Sequence, residues 1–262
     1  MLAAEIEAKV KHRKDQGDLL APSTPRTPLP ARMAWYDPCR RLAEGIVSAV
    51  LIVLTAPLMA LAALLVKLTS PGPVLYSQTR LGRGGKPYTI YKIRTMVHNC
   101  EKASGPQWCT KQDPRVTRVG NFLRKMHLDE LPQLWNVLRG DMSLVGPRPE
   151  RPEFVPHLEK SIPSYADRLL VRPGVTGLAQ VQLPADTDLS SVRRKLKCDL
   201  YYVRNVGPWL DLQILFATAF YLVKIPFAVP RRLLGVPALE TIERLTPEGA
   251  ESEALNPQLV TG

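Results

Sequence analysis

The feature that most constrains the fold of this chain is one apolar segment, residues 42–68. It holds 27 residues, mostly Ala, Leu, Val and Ile, with acidic or basic side chains only near its two ends. As a helix it would be about 40 Å long, which exceeds the ~30 Å hydrocarbon core of a bilayer. A single membrane-spanning helix is therefore the simplest interpretation.

Two observations favour a re-entrant hairpin instead. Pro57 removes a backbone hydrogen bond and divides the segment into parts about 22 and 17 Å long, neither of which crosses a bilayer. Basic residues also lie on both sides, with Arg40 and Arg41 before the segment and Lys67 at its end. Positive flanks are typical of the cytoplasmic side, and a spanning helix can place only one end there. We favour a helix-break-helix over residues 35–70, and a kinked spanning helix remains the alternative.

The rest of the chain divides into three parts. Residues 1–34 are predicted to form a charged helix followed by a proline-rich linker, and no cleavable signal peptide is expected at the N-terminus. Residues 71–234 carry mixed helix and strand patterns, which predict a mostly helical α+β domain. Within it, residues 209–224 are predicted to be a helix at a membrane interface. Residues 235–262 are predicted to be a disordered polar tail.

The charge of the chain indicates anionic partners. Thirty-five Lys and Arg against 24 Asp and Glu give a formal net charge of +11. Nucleic acid, an anionic membrane and phosphorylated substrates would all suit that charge. Few aromatics and no zinc-finger spacing argue against nucleic acid. The four cysteines form no CxxC pair, which favours reduced thiols in a cytosolic setting, and His98, Cys100 and Cys109 match no common zinc spacing.

Two adjacent carboxylates, Asp129 and Glu130, are the first candidates for chemistry. They lie just before Pro132, a residue that fits the first turn of a helix. In one interpretation they are ordinary helix-start acids. In the other, the helix N-terminus and nearby cations keep Asp129 ionised so that it attacks an electrophile. The following helix is predicted to bury a stripe of four apolar side chains, Leu131, Leu134, Trp135 and Leu138.

Three further cations are candidates for binding an anion. Lys92 and Arg94 share one face of a predicted strand over residues 88–96, so they need an anion or solvent. An exposed edge strand would explain them equally well. Arg124 lies five residues before Asp129, on a helix that starts near residues 113–117. A basic residue near a helix C-terminus also suits the helix dipole without any function.

A stiff loop presents a further cation. Arg148 lies between Pro147 and Pro149, two residues with fixed φ angles. A guanidinium held in this way suits bidentate binding of a phosphate or carboxylate, or stacking on a base.

Several ordered blocks resemble one family, the bacterial sugar transferases, which are small monotopic phosphoglycosyl transferases. The resemblance runs from about residue 35 to 224 and rests on the blocks Lys67–Val74, Tyr91–Met96, Asp113–Thr117, Leu128–Gln133, Gly140–Pro149, Arg172–Gly177 and Asp199–Val203.

The resemblance implies a membrane enzyme. Its catalytic domain would lie on the cytoplasmic face of the bacterial inner membrane, behind a re-entrant helix broken at Pro57. Its substrates would be a UDP-sugar and polyprenyl (undecaprenyl) phosphate, its cofactor Mg²⁺, and its products UMP and a lipid-linked sugar. Such transfer initiates the assembly of exopolysaccharide, lipopolysaccharide or another glycan. No nucleic-acid partner is implied.

The resemblance also implies roles for individual residues. Asp129 would be the nucleophile that forms an aspartyl phosphosugar, and Glu130 would be the Mg²⁺ ligand. Phosphate groups would be held by Lys92, Arg94 and Arg124. The nucleotide would contact Arg148 with Pro147 and Pro149. Two alternatives stay open: direct attack by the lipid phosphate in a ternary complex, and a basic membrane-surface module without turnover.

The sequence also departs from the family pattern. Glu44 stands where Asp is frequent, and His127 stands where Ser or Thr usually precedes the acidic pair. An arginine that usually follows Gln180 is missing, and the candidates to replace it are Arg193 and Arg194. The sugar, the glycan pathway and the oligomeric state are not specified by the sequence.

Overall fold

The computed structural model describes residues 33–101, 105, 112–162, 164–184 and 188–245. The predicted N-terminal helix and linker up to residue 32, Cys109, and the tail from residue 246 lie outside the described residues. The helices are α1 Met33–Thr69, α2 Arg118–Lys125, α3 Gln133–Arg139, α4 Val155–Ser161, α5 Leu189–Asn205, α6 Pro208–Leu222, α7 Ala228–Leu234 and α8 Leu239–Leu245.

Two small sheets and three short 3-10 helices complete the described fold. Strands β1 Leu75–Leu81 and β2 Pro87–Ile93 pair antiparallel, with Tyr76 opposite Lys92. Strands β3 Ser143–Val145 and β4 Gly174–Thr176 pair in parallel. The 3-10 helices are Arg83–Gly85, Leu128–Glu130 and Tyr165–Leu170. The predicted α+β class, mostly helical, is confirmed.

The predicted break in the membrane segment is wrong at the level of secondary structure. Helix α1 runs continuously through both Pro38 and Pro57 for 37 residues. A proline inside a helix costs one hydrogen bond and bends the axis, and packing can offset that cost without interrupting the helix. Such packing lies on both sides of Pro57.

Both halves of α1 pack against the same domain. In the first half, Leu51 and Ile52 contact the main hydrophobic core. In the second half, Ala62 and Val66 are buried with Ile93 of β2 and with α2. The two halves of the apolar segment are therefore attached to one body.

The remaining faces of α1 are open. Only 11% of its most apolar stretch is buried, so it is not the central helix of a soluble core. Large apolar side chains such as Val53, Leu54 and Leu64 are more than half exposed. By length and composition alone, α1 is long and apolar enough to cross a membrane.

A buried polar cluster fixes the start of α1 to the domain. Arg40 Nε lies 3.0 Å from both a Glu44 oxygen and an Asp211 oxygen. Glu44 also accepts hydrogen bonds from Ser143 Oγ and the Leu144 amide, at the start of β3. We call this the helix-anchor cluster; it comprises Arg40, Glu44, Ser143 and Asp211, with the hydroxyls of Tyr36 and Tyr202 on Asp211.

The C-terminal region is more ordered than the sequence suggested. The predicted interfacial helix is present as α6, with Trp209, Leu212 and Phe216 exposed along it. The predicted disordered tail is wrong for residues 235–245, because Val236 and Ile242 are fully packed in the core and α8 forms there. Short polar-rich helices carry too few apolar positions for periodicity to reveal them.

The predicted apolar stripe of α3 is only partly confirmed, and α2 shows a similar mixture of buried and exposed apolar residues. In α3, Leu134 is buried, whereas Trp135 is 51% and Leu138 is 40% exposed. In α2, Leu123 is fully buried but Phe122 and Met126 are about half exposed. These helices are two turns long and pack through polar as well as apolar side chains, so apolar residues remain on their outer faces.

Candidate active site

The two acids lie in a single 3-10 turn between α2 and α3. That turn is Leu128–Glu130, and Leu128 packs against the second half of α1. His127 precedes it in the left-handed conformation (φ 56°), without a side-chain cap. Pro132 is the N-cap of α3 with φ −61°, so a proline stands at the helix start as predicted. The two acids thus lie in the turn that immediately precedes α3.

Glu130 is held by two cations. Its Oε1 lies 2.7 Å from Lys92 Nζ and 2.6 Å from Arg148 Nη2. Burial would raise the pKa of Glu130, but the charges of Arg148 and Lys92 outweigh burial and lower that pKa well below its ordinary value. Glu130 is therefore a fixed anion that joins β2 to the loop carrying Arg148.

Asp129 has a different environment. Asp129 is only 7% exposed. Within the described residues, no hydrogen bond or ion pair involves its carboxylate. Burial, and then the charge of Glu130, raise its pKa, although Lys92, Arg124 and Arg148 oppose the rise. The direction is opposite to the one expected from a helix N-terminus. The pKa values of the two neighbouring carboxyls are thus driven apart, a pattern typical of paired catalytic acids.

A buried amide sets the spacing between Lys92 and Glu130. Asn136 of α3 is completely buried. Its Oδ1 accepts from the Tyr91 amide, and its Nδ2 donates to the Thr89 carbonyl, at 3.2 and 2.7 Å. These bonds fix α3 to β2 on either side of Ile90. Lys92 and Glu130 are consequently brought together by two rigid elements.

Arg124 approaches from α2. Its Nε donates to Thr95 Oγ1 at 2.8 Å, and its charge acts on Asp129. Helix α2 is capped by Thr117, which accepts from the Gly120 amide, so the predicted helix start is confirmed. Gly120 lies so close to the Thr95 carbonyl that any Cβ would collide with it.

The loop that carries Arg148 is held through its backbone. The Gly146 amide donates to the Thr176 carbonyl, and the Gly174 amide donates to the Pro147 carbonyl. Arg168 donates to the carbonyl of Arg148 at 2.8 Å and is itself paired with Asp199. The Pro149 carbonyl accepts from Arg80. The side chain of Arg148 is 47% exposed, so it also faces solvent.

Three residues predicted to bind substrate, Arg94, Arg193 and Arg194, make their contacts away from the acid pair. Arg94 is buried and donates to the carbonyls of Ser70 and Pro71, which end α1. Its assignment to a phosphate stays a prediction. Arg193 and Arg194 are exposed on α5, where Arg193 donates to the Ser161 carbonyl and Arg194 acts on the helix cap.

The sequence analysis missed three supporting residues: Thr95, Asn136 and Arg168. Thr95 lies inside a block that resembles the family, so its position was visible but its bond to Arg124 was not. Asn136 and Arg168 act through backbone contacts of long sequence separation, which no local pattern reveals.

Three cations and two carboxylates meet at this site, an excess of one positive charge. Such an excess suits a phosphorylated substrate and offsets the repulsion between its phosphates and an anionic nucleophile. Within the described residues no group of three or more His, Cys, Asp and Glu could hold a metal by protein ligands alone. Mg²⁺ needs only one or two carboxylates, with phosphate and water completing its shell, so Glu130 with Asp129 nearby fits that donor set.

Similarity to known proteins is extensive. The chain is 47% identical over 183 residues to a protein from Aeromonas hydrophila named UDP-N-acetylgalactosamine-undecaprenyl-phosphate N-acetylgalactosaminephosphotransferase, covering 70% of this chain and 43% of that relative. It is 46% identical over 215 residues to a UDP-glucose:undecaprenyl-phosphate glucose-1-phosphate transferase of Caulobacter vibrioides, covering 78% and 79% of the two. An exopolysaccharide production protein of Rhizobium leguminosarum is 45% identical over 168 residues, covering 62% and 84%.

The chain thus spans less than half the length of the Aeromonas relative and most of the Caulobacter one. The family profile described as bacterial sugar transferase matches residues 35–225, from the start of α1 to just beyond α6. That range contains the acid pair, its three cations and the helix-anchor cluster, and the chain therefore belongs to the bacterial sugar transferase family.

Proposed function

We propose that the protein transfers a sugar-1-phosphate from a UDP-sugar to polyprenyl (undecaprenyl) phosphate and releases UMP. The observation that carries this proposal is the pair of adjacent carboxylates with opposite pKa shifts, Asp129 and Glu130, surrounded by Lys92, Arg124 and Arg148. The names of the relatives supply the reaction class. They differ in the sugar, so the sugar transferred by this protein is left open.

The proposed mechanism has two steps. In the first, an ionised oxygen of Asp129 attacks the β-phosphorus of the UDP-sugar, and the bond to the leaving UMP breaks with its electron pair on UMP. In the second, an oxygen of polyprenyl phosphate attacks the aspartyl phosphosugar and frees the carboxylate. Two bulky anionic substrates thereby use one site in turn.

Each residue around Asp129 has a separate task. Arg124 and Lys92 place positive charge beside the transferred phosphate. The backbone around Arg148 is fixed by hydrogen bonds and its guanidinium is paired with Glu130, so Arg148 can reach the nucleotide from a fixed loop. Burial of Asp129 weakens its hydration, which favours attack once the substrate phosphates lie among the cations of the site.

Mg²⁺ is the proposed cofactor, with Glu130 as its ligand. When bound, the ion would neutralise diphosphate charge and stabilise the leaving UMP. Glu130 already shares its oxygens with Lys92 and Arg148, so binding of the ion at Glu130 requires at least one of those contacts to loosen.

The proposed location is the cytoplasmic face of the bacterial inner membrane. The exposed apolar faces of α1 and α6 supply the attachment, and the contact of both halves of α1 with one domain favours entry and exit on the same side. In that location the enzyme would initiate exopolysaccharide or another glycan; a relative is named for exopolysaccharide production.

The decisive experiment separates the donor step from the acceptor step. Purified protein with Mg²⁺ is incubated with single UDP-sugars, first without and then with undecaprenyl phosphate, and UMP release and intact mass are followed. We expect one donor to give stoichiometric UMP and a phosphosugar adduct that maps to Asp129. Product formation without any adduct would favour direct attack in a ternary complex. No UMP release with any donor would favour a membrane-surface module without turnover.

A further inference from the structure

One of the three cations of the site is bound by a neutral hydroxyl, that of Thr95. This residue lies just after the end of β2 and is 6% exposed. Its Oγ1 accepts a hydrogen bond from Arg124 Nε at 2.8 Å. A guanidinium is planar, so a bond to Nε fixes the plane in which its two Nη atoms lie. The bond thereby sets the direction in which the positive charge of Arg124 is presented.

The backbone of Thr95 is fixed by the start of α2. Its carbonyl accepts hydrogen bonds from the Thr117 amide at 3.0 Å and from the Thr117 hydroxyl at 3.3 Å. Gly120 packs so closely on the Thr95 backbone that a Cβ at residue 120 would collide with it. Beyond Thr95, the Val97 amide donates to the Arg115 carbonyl at 2.8 Å. The hydroxyl of Thr95 is therefore an acceptor with a fixed position relative to α2.

The preceding residue, Arg94, fixes Thr95 from the side of α1. The Arg94 amide donates to the Val74 carbonyl at 2.8 Å. Its guanidinium donates to the carbonyls of Ser70 and Pro71, at 2.8 and 2.6 Å, just after the last turn of α1. The pair of residues 94 and 95 thus connects the end of the long apolar helix to the cation carried by α2.

Arg124 is joined to the acid turn through the backbone. Its carbonyl accepts the His127 amide at 3.2 Å, and the His127 carbonyl accepts the Glu130 amide at 3.3 Å. The charge of Arg124 also acts on Asp129. A shift of the guanidinium would therefore change the electrostatic field at the carboxyl that is the nucleophile in the proposed function.

A hydroxyl orients a cation without neutralising its charge. Lys92 and Arg148 are each paired with the carboxylate of Glu130, which offsets part of their charge. The bond from Thr95 to Arg124 involves no anion, so it removes none of the positive charge that a phosphate would meet. It also fixes a long side chain that would otherwise sample several rotamers.

We propose that Thr95 is a positioning residue that directs the guanidinium of Arg124 toward the transferred phosphate. The inference rests on the proposed function for the identity of that phosphate, which is the β-phosphate of the UDP-sugar. Thr95 acts through Arg124, and its effect falls on the step that releases UMP.

A double-mutant cycle tests whether Thr95 acts through Arg124. Valine has nearly the shape of threonine but no hydroxyl, so Thr95→Val removes the acceptor. With full-length protein in nanodiscs, we expect it to lower kcat/KM for the UDP-sugar about tenfold, the effect of one hydrogen bond to a charged group. In an Arg124→Met background the same change should alter kcat/KM by less than about twofold. An equal loss in both backgrounds would overturn the proposal.

Two further variants separate positioning from folding. Thr95→Ser keeps the hydroxyl and should retain a kcat/KM close to that of the wild type. Thr79→Val makes the same substitution at an exposed threonine of β1 and should leave kcat/KM unchanged. If Thr95→Ser lost as much kcat/KM as Thr95→Val, the hydroxyl would not be the group that matters and the proposal would fail.

Nucleotide binding tests the same contact without turnover. UDP carries the β-phosphate and UMP lacks it, so the ratio of their Kd values reports how the site holds that phosphate. By calorimetry with Mg²⁺, we expect Thr95→Val and Arg124→Met each to reduce the preference for UDP over UMP, and Thr95→Ser to keep it. An unchanged preference in Thr95→Val would contradict the proposal. The expected response in a protein that turns over no UDP-sugar would instead refute the proposed function alone.

Discussion

Two buried clusters of charge lie in this domain, and they are built differently. In the helix-anchor cluster, Arg40 faces two carboxylates, and those carboxylates also accept bonds from hydroxyls and a backbone amide. In the acid-pair cluster, Lys92, Arg124 and Arg148 face two carboxylates, and among the residues that the structure describes only the Glu130 carboxylate has an ion-pair partner.

The comparison separates a structural cluster from a reactive one. The first has more negative than positive charge and fills its acceptor sites with neutral donors from the protein. The second has a surplus cation and a buried carboxyl for which the described part of the chain supplies no hydrogen-bond or ion-pair partner, an arrangement that costs stability unless it serves binding or catalysis. Substitutions in the helix-anchor cluster should therefore lower mainly the stability, and substitutions in the acid-pair cluster should lower mainly the turnover.

The largest expected effect is that of Asp129→Asn. Under the proposed mechanism the substitution removes the attacking carboxylate and should lower turnover on the order of 10⁴-fold or more, as for loss of the nucleophile in other covalent catalysts. Stability should change little, because burial already disfavours the charged form of Asp129. Turnover is measured as UMP release, and stability as the denaturant midpoint.

Glu240→Gln is the control for that substitution, because Glu240 is an exposed acid on α8 that pairs only loosely with Arg231. Near-normal UMP release by Asp129→Asn would show that Asp129 is not the nucleophile. The acid-pair cluster could then no longer be called the reactive one of the two.

The next effect is on stability. Arg40→Met leaves Glu44 and Asp211 buried without their cation, and breaking such a pair costs about 3–5 kcal/mol in the free energy of unfolding. The activity per folded molecule should remain close to normal. Urea unfolding monitored by tryptophan fluorescence gives the first quantity, and UMP release corrected for the folded fraction gives the second.

Arg41→Met provides the matched control for Arg40→Met. Arg41 is exposed on the same turn of α1, so its replacement should change stability by less than about 0.5 kcal/mol. Equal stability of the two variants would mean that the helix-anchor cluster does not hold α1.

The smallest effect concerns pH. In the proposed mechanism Asp129 attacks only when ionised, so kcat/KM should fall as pH drops through its raised pKa. Arg148→Met removes a cation that favours ionisation and should move this acid limb to higher pH. Glu130→Gln removes a neighbouring anion and should move it to lower pH. The limbs are compared at saturating Mg²⁺, and shifts in the same direction would contradict the electrostatic account of Asp129.

The sequence predicted the parts of the site that are close in the chain. Asp129, Glu130 and the proline-initiated helix follow from local rules about helix starts, and Arg148 follows from its two flanking prolines. The resemblance gave Lys92 and Glu130 separate roles in one site, and the structure adds their ion pair and Asn136, which ties β2 to α3 beside it.

Other features depend on contacts that local patterns do not contain. Pro57 predicted a break, but packing of both halves of α1 keeps the helix continuous. Arg94 shared a strand face with Lys92 in the prediction, yet the strand ends at Ile93 and Arg94 turns to the carbonyls after α1. The pKa of Asp129 depends on burial, which neither spacing nor helix position specifies.

The attachment of α1 at both ends also fixes its length. Glu44 and Ala62 are about five turns apart and so face the same way. Glu44 binds Ser143 of β3, and Ala62 packs in the cluster that contains Ile93 and Leu123. One inserted residue would swing either end by roughly a quarter-turn and detach it. The exposed faces of α1 should therefore tolerate many substitutions, whereas an insertion or deletion between its two attachment points should not be tolerated.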